Sequence, residues 1–158
     1  MPASYGLAKR KGEASERLPW RQVREWLRGS RNYWLATTRP DGRPHAVPVW
    51  ALWLDETLYF ATDRQSQKAR NLAASPELVV HLESGDEVAI LEGRAEEVTD
   101  PALLAKLADA WEAKYEWRPN ADDPAMVHYA VRPRVAFSWL EGDALFPETA
   151  TRWRFPPG

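Results

Sequence analysis

Short apolar segments follow one another through residues 32–98, and most of them are separated only by tight turns. The pairs Asp41-Gly42, Asp55-Glu56 and Gly85-Asp86 stand between successive segments and suit turn geometry. A parallel sheet needs a crossover of a dozen or more residues, usually a helix, between neighbouring strands. Most of these segments lack such a crossover. The sequence therefore predicts a mainly β (α+β) fold in which six or seven antiparallel strands form a split β-barrel with flanking helices.

Three helices are expected beside these strands. Asp100 and Pro101 mark the start of one of them, because Asp caps a helix well and Pro suits its first position. Leu103, Leu107 and Trp111 then recur at four-residue spacing, so we expect this helix to pack on the barrel through them. The expected helices cover residues 19–29, 65–74 and 101–117. The expected strands cover residues 32–38, 45–54, 57–62, 78–83, 87–98, 135–139 and 151–155.

The segment 45–54 is apolar at consecutive positions, so both of its faces must be covered, one of them by a helix or a second subunit. Pro44 and Pro48 cannot donate to a strand ladder and indicate a bulge or a free edge. The chain also holds nine tryptophans, which favour cores, interfaces and flat ligands. These features predict a two-fold homodimer.

Length and composition favour one domain. The chain has 158 residues, a net charge of −2 and no cysteine. We expect a flexible arm over residues 1–17 and a single domain over 18–158. The charge gives no general attraction to nucleic acid or membranes, and the first residues lack the apolar stretch of a signal peptide. With disulfides excluded, the sequence favours a cytoplasmic protein without nucleic-acid or membrane partners.

The familiar catalytic constellations are absent from the sequence. His45, His81 and His128 lie far apart and show no metal-ligand spacing. There is no nucleophile elbow and no phosphate-binding loop of the GxxxxGK type. We therefore expect no metal site and assign no catalytic side chain.

Ser66, Gln67 and Lys68 form the most informative local cluster, because they stand where a strand ends and a helix begins. Free N–H groups and the helix dipole favour an anion at such a point. A hydroxyl, an amide and an ammonium group would complete a phosphate site. Helix capping with a solvent-facing lysine explains the same residues, and the pattern alone leaves the two interpretations open.

The stretch WLATTRPDGRPHAVPVWALWLDETLYFATDRQSQKARNLAASPELVVHLE resembles the pyridoxamine 5′-phosphate oxidase-like superfamily of FMN-binding split barrels. It is most similar to the branch of flavin- and deazaflavin-dependent reductases, and the likeness covers roughly residues 20 to 155. The resemblance implies a phosphate site, a strand beside the cofactor ring and a contribution from the partner subunit. The implied cofactor-binding residues are Ser66, Gln67 and Lys68 for the phosphate, Ala61 and Thr62 beside them, Val47, Pro48, Val49, Trp50 and Ala51 along the ring, and Trp139 and Arg154 from the partner.

Two departures argue against oxidation of pyridoxamine phosphate itself. Gln67 stands where the oxidases proper often have Arg, and apolar Ala51-Leu52 replaces their basic substrate-binding residue. The resemblance thus implies an oxidoreductase that binds FMN or the deazaflavin coenzyme F-420 and passes hydride to or from a flat, apolar substrate in a pocket with Trp50 and Trp53.

Three alternatives stay open at this stage. The first is that the cofactor is the deazaflavin, for whose polyglutamate tail the candidate residues are Arg43, Arg64 and Arg70. A non-catalytic flavin sensor or carrier would need the same binding residues. A haem-binding split barrel would need one of the three histidines as an axial ligand.

Overall fold

The structure, a computed structural model, describes residues 17–157. The expected arm over 1–17 therefore lies, except for Arg17, outside the described residues. The helices are α1 (Trp20–Gly29), α2 (Gln67–Ala74), α3 (Pro101–Tyr115) and α4 (Leu145–Thr149). The strands are β1 (Tyr33–Thr38), β2 (Pro44–Val49), β3 (Leu52–Leu54), β4 (Thr57–Asp63), β5 (Glu77–Leu82), β6 (Glu87–Glu97), β7 (Met126–Leu140) and β8 (Thr151–Arg154).

The strands form one curled antiparallel sheet in the order β2-β1-β5-β6-β7-β4-β3, with β8 added beside β7. This confirms the predicted fold class. The turns between neighbouring strands lie where the sequence places them: Gly42 has a φ of 88°, and Asp55 and Glu56 both have positive φ. The strand count rises to eight because the segment expected at 45–54 is divided into β2 and β3.

Two apolar clusters hold the sheet. The first lies inside the curl and receives α1 through Val23 and Leu27 and α2 through Leu72. The second lies on the other side of β3, β4 and the first half of β7, where α3 covers it. Leu107 and Trp111 of α3 are buried there and Leu103 packs against them, as the four-residue spacing predicts. Asp100 caps this helix by accepting from the N–H groups of Ala102 and Leu103.

Strand β7 begins nine residues earlier than its sequence indicates, at Met126 instead of 135. Pro133 hides this extension because proline does not fit a regular ladder. The structure accommodates it at a register shift between Glu92 and Gly93, where Gly93 stands opposite Pro133. A Cβ at Gly93 would lie 2.8 Å from the carbonyl oxygen of Arg132, so the bulge requires glycine.

The outward side of β2, β1, β5 and β6 carries apolar residues that are only partly covered. We call this surface the open face. Register and alternation place on it Pro48, Trp34, His81 and Ile90 in one row and Ala46, Ala36 and Val79 in the next. All of these residues are exposed or half-buried. Antiparallel sheets usually turn polar residues outward, so this face has the composition of a contact surface.

Two general features of the fold bear on function. No helix within residues 17–157 has the length and apolar character needed to cross a membrane. Within the same range, no group of three or more His, Cys, Asp or Glu side chains is arranged to hold a metal ion.

Candidate functional site

The N-terminus of α2 is built by short-range hydrogen bonds. Ser66 is the N-cap, and its hydroxyl accepts from the N–H of Ala69 at 3.2 Å. The Thr62 hydroxyl, at the end of β4, donates to the same Ser66 oxygen at 3.2 Å. The strand end and the helix start are therefore joined through side chains, and the sequence-predicted residues Thr62, Ser66, Gln67 and Lys68 lie together.

Asn71 fastens α2 to the sheet. Its side chain is fully buried, and its amide donates to the Thr37 hydroxyl of β1 at 3.0 Å. Its carbonyl oxygen accepts from the Gln67 amide at 2.7 Å. Gln67 is thus committed to holding the helix, since Arg70 also donates to it at 3.4 Å. Its side chain serves structure at least as directly as it could serve a ligand.

Basic side chains converge beside this helix start. Burial lowers the pKa of His45, and the positive charges of Arg39 and Lys68 lower it further. His45 stands opposite Thr37 in the β1–β2 ladder, and its Nδ1 atom is buried without a hydrogen-bond partner among residues 17–157. Like charges are costly to bring together in a partly desolvated place. The arrangement is therefore suited to receive an anion.

Lys68 is half-buried, which disagrees with the solvent-facing lysine of the capping interpretation. Burial lowers its pKa, while Asp63 acts in the opposite direction. Within the described part of the chain its ammonium group forms no hydrogen bond or ion pair. Lysine at this position bears a desolvation cost that a phosphate would offset.

Strand β2 forms one edge of the sheet and pairs only with β1 on its other side. Its residues alternate: Val47 and Val49 pack partly on the first cluster, whereas Pro48 is exposed on the open face. The free edge beside Pro44 and Pro48 is what the sequence predicts. Such an edge leaves backbone groups available to a heterocycle.

The sheet opens between β2 and β3, at Trp50 and Ala51. Trp50 is 40% exposed and stacks on Tyr115 at 4.7 Å with an interplanar angle of 9°. The Arg31 guanidinium lies 5.1 Å from the centre of the Trp50 ring. Ala51 itself is fully buried, and its peptide lies next to Trp50.

Side chains of α3 bind the peptide at this opening. The Tyr115 hydroxyl accepts from the Ala51 N–H at 3.0 Å and lies 2.8 Å from the Arg31 carbonyl oxygen, to which it can donate. Lys114 donates to the Ala51 carbonyl oxygen at 3.0 Å and to the Tyr33 hydroxyl at 2.7 Å. Burial lowers the pKa of Lys114 to about 8. It also raises the pKa values of Tyr33 and Tyr115.

Trp139 and Arg154 lie away from this cluster within one chain. Along β7, Trp139 is twelve residues beyond Val127, the partner of Thr62, which corresponds to roughly 40 Å of extended strand. Arg154 stands opposite Val135, on the same side of the sheet as the open face. Ala61 points to the α3 side of β4, opposite His128. One chain thus brings together Thr62, Ser66, Gln67 and Lys68, whereas Ala61 points to the other side of the sheet and the two residues assigned to the partner lie farther along it.

The remaining candidates have other partners. His81 stacks on Trp34 with ring centres 6.4 Å apart, and His128 is buried with its pKa lowered by desolvation. Arg43 is paired with Asp41 at 2.9 Å in the β1–β2 turn. Arg64 is paired with Glu97.

A cavity of about 410 Å³ lies between the end of α1 and the β5–β6 hairpin. It is lined by Glu25, Glu83 and Glu87 among others, and by none of the sequence-predicted site residues. The expected pocket around Trp50 and Trp53 is wrong for Trp53, which is buried in the first cluster against Trp20.

Sequence reasoning missed five residues that shape this region: Arg39, Asn71, Arg31, Lys114 and Tyr115. Arg39 precedes the Asp41-Gly42 turn and Asn71 follows Lys68, but no local sequence pattern indicates the roles of these two residues. Tyr115 is visible in the sequence as part of the apolar stripe of α3, which conceals the function of its hydroxyl.

A curled antiparallel sheet with flanking helices is the architecture of a split barrel. A family model makes the assignment specific: that of pyridoxamine 5′-phosphate oxidase matches residues 19–140, so the chain belongs to this family. The comparison with curated proteins finds no match.

Solved structures agree with this assignment. An F-420 reductase is 30% identical, with 71% of this chain and 94% of that chain covered and a TM-score of 0.58. A conserved hypothetical protein from Mycobacterium tuberculosis is 28% identical, with 83% and 90% covered and a TM-score of 0.69. A FAD-binding protein from Mesorhizobium loti, at 23% identity, 75% and 92% coverage and a TM-score of 0.60, shows the likeness of fold alone.

Proposed function

We propose that the chain is an oxidoreductase that binds FMN or the deazaflavin coenzyme F-420 and exchanges hydride between this cofactor and a small apolar or aromatic substrate. The proposal is supported by membership of the pyridoxamine 5′-phosphate oxidase family and by the similar F-420 reductase. When bound, the cofactor would supply the hydride chemistry, and the protein would bind, orient and shield it.

The convergence of Lys68, His45 and Arg39 at the start of α2 carries the proposal. The buried, unpartnered Nδ1 atom of His45 and the half-buried ammonium group of Lys68 fit the oxygens of a phosphate. Ser66 would present its hydroxyl and the free N–H groups of the helix to the same group. A bound phosphate would attract the charges of Lys68 and Arg39 and would favour protonation of His45.

Few side chains in the described structure could bind the phosphate of pyridoxamine phosphate in addition to the phosphate of the cofactor. Gln67 is engaged with Asn71 and Arg70, and Ala51 and Leu52 are buried. The exposed indole of Trp50, just after the end of β2, instead offers a ring on which a flat group can stack. This favours an apolar or aromatic substrate.

We propose that two copies complete the site, with the open face as their interface. A second copy buries this apolar face under a two-fold axis, because the same surface then covers itself. Trp139 and Arg154 are located on the same side of the sheet, far from the Lys68 of their own chain. The proposal requires a dimer geometry that brings them to the cofactor held at the partner's Lys68.

The test is to purify the full chain and record the absorbance and mass of any small molecule that accompanies it. FMN and F-420 are then titrated in separate samples, and the reduced cofactor is mixed with quinones and nitroaromatic compounds as acceptors. Binding with reoxidation by these acceptors supports the proposal. Binding without reoxidation would favour a sensor or carrier. Absence of binding to both cofactors, together with a Soret band after haem addition, would overturn the proposal.

A further inference from the structure

The peptide groups at the opening of the sheet are held by side chains rather than by a neighbouring strand. Val49 ends β2 and Leu52 begins β3, so Ala51 lies outside the ladder. Its N–H donates to Tyr115, and its carbonyl oxygen accepts from Lys114. Buried backbone groups need such partners, and here both come from the last turn of α3.

Tyr115 acts on two consecutive residues. Its hydroxyl binds Ala51, while its ring lies parallel to the ring of Trp50 at 4.7 Å. The stack covers part of the indole and leaves 40% of Trp50 exposed. A single side chain therefore determines both the course of the backbone and the plane of the exposed ring.

Lys114 also stabilises the Trp50–Ala51 segment. Its ammonium group lies 4.8 Å from the ring centre of Tyr33 and 5.1 Å from that of Tyr115, and it bonds to Ala51. It forms no ion pair with a carboxylate in the range 17–157. A half-buried lysine without such a partner bears a desolvation cost that its hydrogen bonds and ring contacts offset only in part, which indicates a role other than simple stability.

We propose that Tyr115 and Lys114 are positioning residues for the cofactor: they fix the Trp50–Ala51 segment so that the Trp50 ring borders the bound heterocycle. This inference rests on the proposed function, since it needs a cofactor beside β2. It adds that α3, which packs on the second cluster through Leu107 and Trp111, controls the site through its last turn.

The test compares Tyr115→Phe with Tyr59→Phe, a matched control in the same apolar cluster that bonds to neither Trp50 nor Ala51. Tyr115→Phe keeps the stack and removes the bond to the Ala51 N–H. Amide hydrogen exchange of the protein without cofactor should accelerate at residues 50–52 in Tyr115→Phe only. The dissociation constant for the cofactor that wild type binds should rise about tenfold, and the visible circular dichroism of the bound cofactor should change.

Lys114→Met should have the same effects on binding and dichroism, and Lys114→Arg should restore part of them because it keeps the charge and the donors. Equal dissociation constants and equal dichroism in wild type, Tyr115→Phe and Lys114→Met would overturn this inference and leave the proposed function intact. Failure of wild type to bind either cofactor would overturn both. Unchanged exchange at residues 50–52 in Tyr115→Phe would also overturn the inference, whatever the binding result.

Discussion

The side-chain amide of Asn71 donates to the hydroxyl of Thr37 at 3.0 Å, and both residues are buried. This bond links α2, which carries the proposed phosphate residues, to β1, which carries β2 on its far side. The position of Lys68 relative to His45 therefore depends in part on this polar contact, together with the packing of Leu72 in the first cluster. Because polar groups buried in this way are costly to leave unpaired, the contact is sensitive to substitution.

Asn71→Ala should destabilise the protein by about 1–3 kcal/mol, because it leaves the Thr37 hydroxyl and the Gln67 amide without their partner. Urea unfolding measures the loss. Thr37→Val and the double variant complete a cycle, in which a coupling energy of about 0.5–3 kcal/mol is expected. Additive effects of the two substitutions would show that the contact does not hold the helix.

Lys68→Ala should weaken binding of the cofactor by about one to two orders of magnitude, because a hydrogen bond to a charged group is worth roughly 1.5–3 kcal/mol. Lys68→Arg should retain part of the affinity. Without cofactor, the alanine variant should be as stable as wild type or slightly more so, since a half-buried charge without an ion-pair partner is removed. Fluorescence titration at fixed ionic strength measures the affinities.

The matched control for this experiment is Lys106→Ala. Lys106 is an exposed lysine of α3 whose ion pair with Asp55 contributes little. The same affinity in wild type, Lys68→Ala and Lys106→Ala would remove the phosphate site.

Trp34→Asp should convert a dimer into a folded monomer, because it places a charge in the middle of the open face. Sedimentation velocity at micromolar concentration measures the assembly, and circular dichroism checks the fold. Ala105→Asp, on the exposed side of α3, introduces the same charge elsewhere and should remain a dimer. A monomeric wild type would contradict the proposed assembly.

The stability of the protein without cofactor should rise with pH between pH 8 and 9.5. Lys114 has a pKa of about 8 in the folded chain against 10.5 in an unfolded one, so in this window the unfolded state binds more protons. Lys68, whose pKa is also lowered, acts in the same direction. Urea unfolding at both pH values should show a smaller rise for Lys114→Met than for wild type. An identical rise in both proteins would mean that Lys114 titrates normally.

Gly93→Ala should lower stability by about 1–3 kcal/mol, the usual range for an overpacked interior. The added Cβ would meet the Arg132 carbonyl oxygen at 2.8 Å, and backbone cannot move aside cheaply. Gly85→Ala is the control, because nothing lies within 4 Å of a Cβ there. Thermal unfolding of both variants measures the difference, which would vanish if the bulge could relax.

The features that sequence predicted are those with a local cause. The turn at Asp41-Gly42 follows from a glycine that adopts positive φ, and the stripe of α3 follows from apolar spacing. The start of α2 was also visible, because Ser66 is a suitable cap in front of a helical segment. Such signals need only a few neighbouring residues.

The features that sequence missed depend on distant partners. The break between β2 and β3 is stabilised by Tyr115, which lies sixty-four residues after Ala51 in the chain. Lys68 lies close enough to His45 of another element for its charge to lower the pKa of that histidine, and no helical pattern reports this neighbour. The first half of β7 was hidden by Pro133, whose place in the strand requires the bulge opposite it.

Strand β7 pairs with β6 along most of its length, with β4 through its first half and with β8 through its second. The same strand supplies Val131 to the first cluster and Ala130 to the second. If one cluster unfolds, β7 loses its place, and the other cluster then loses the residues that β7 supplies to it. Both clusters should therefore melt in one cooperative transition, in which the calorimetric and van't Hoff enthalpies coincide.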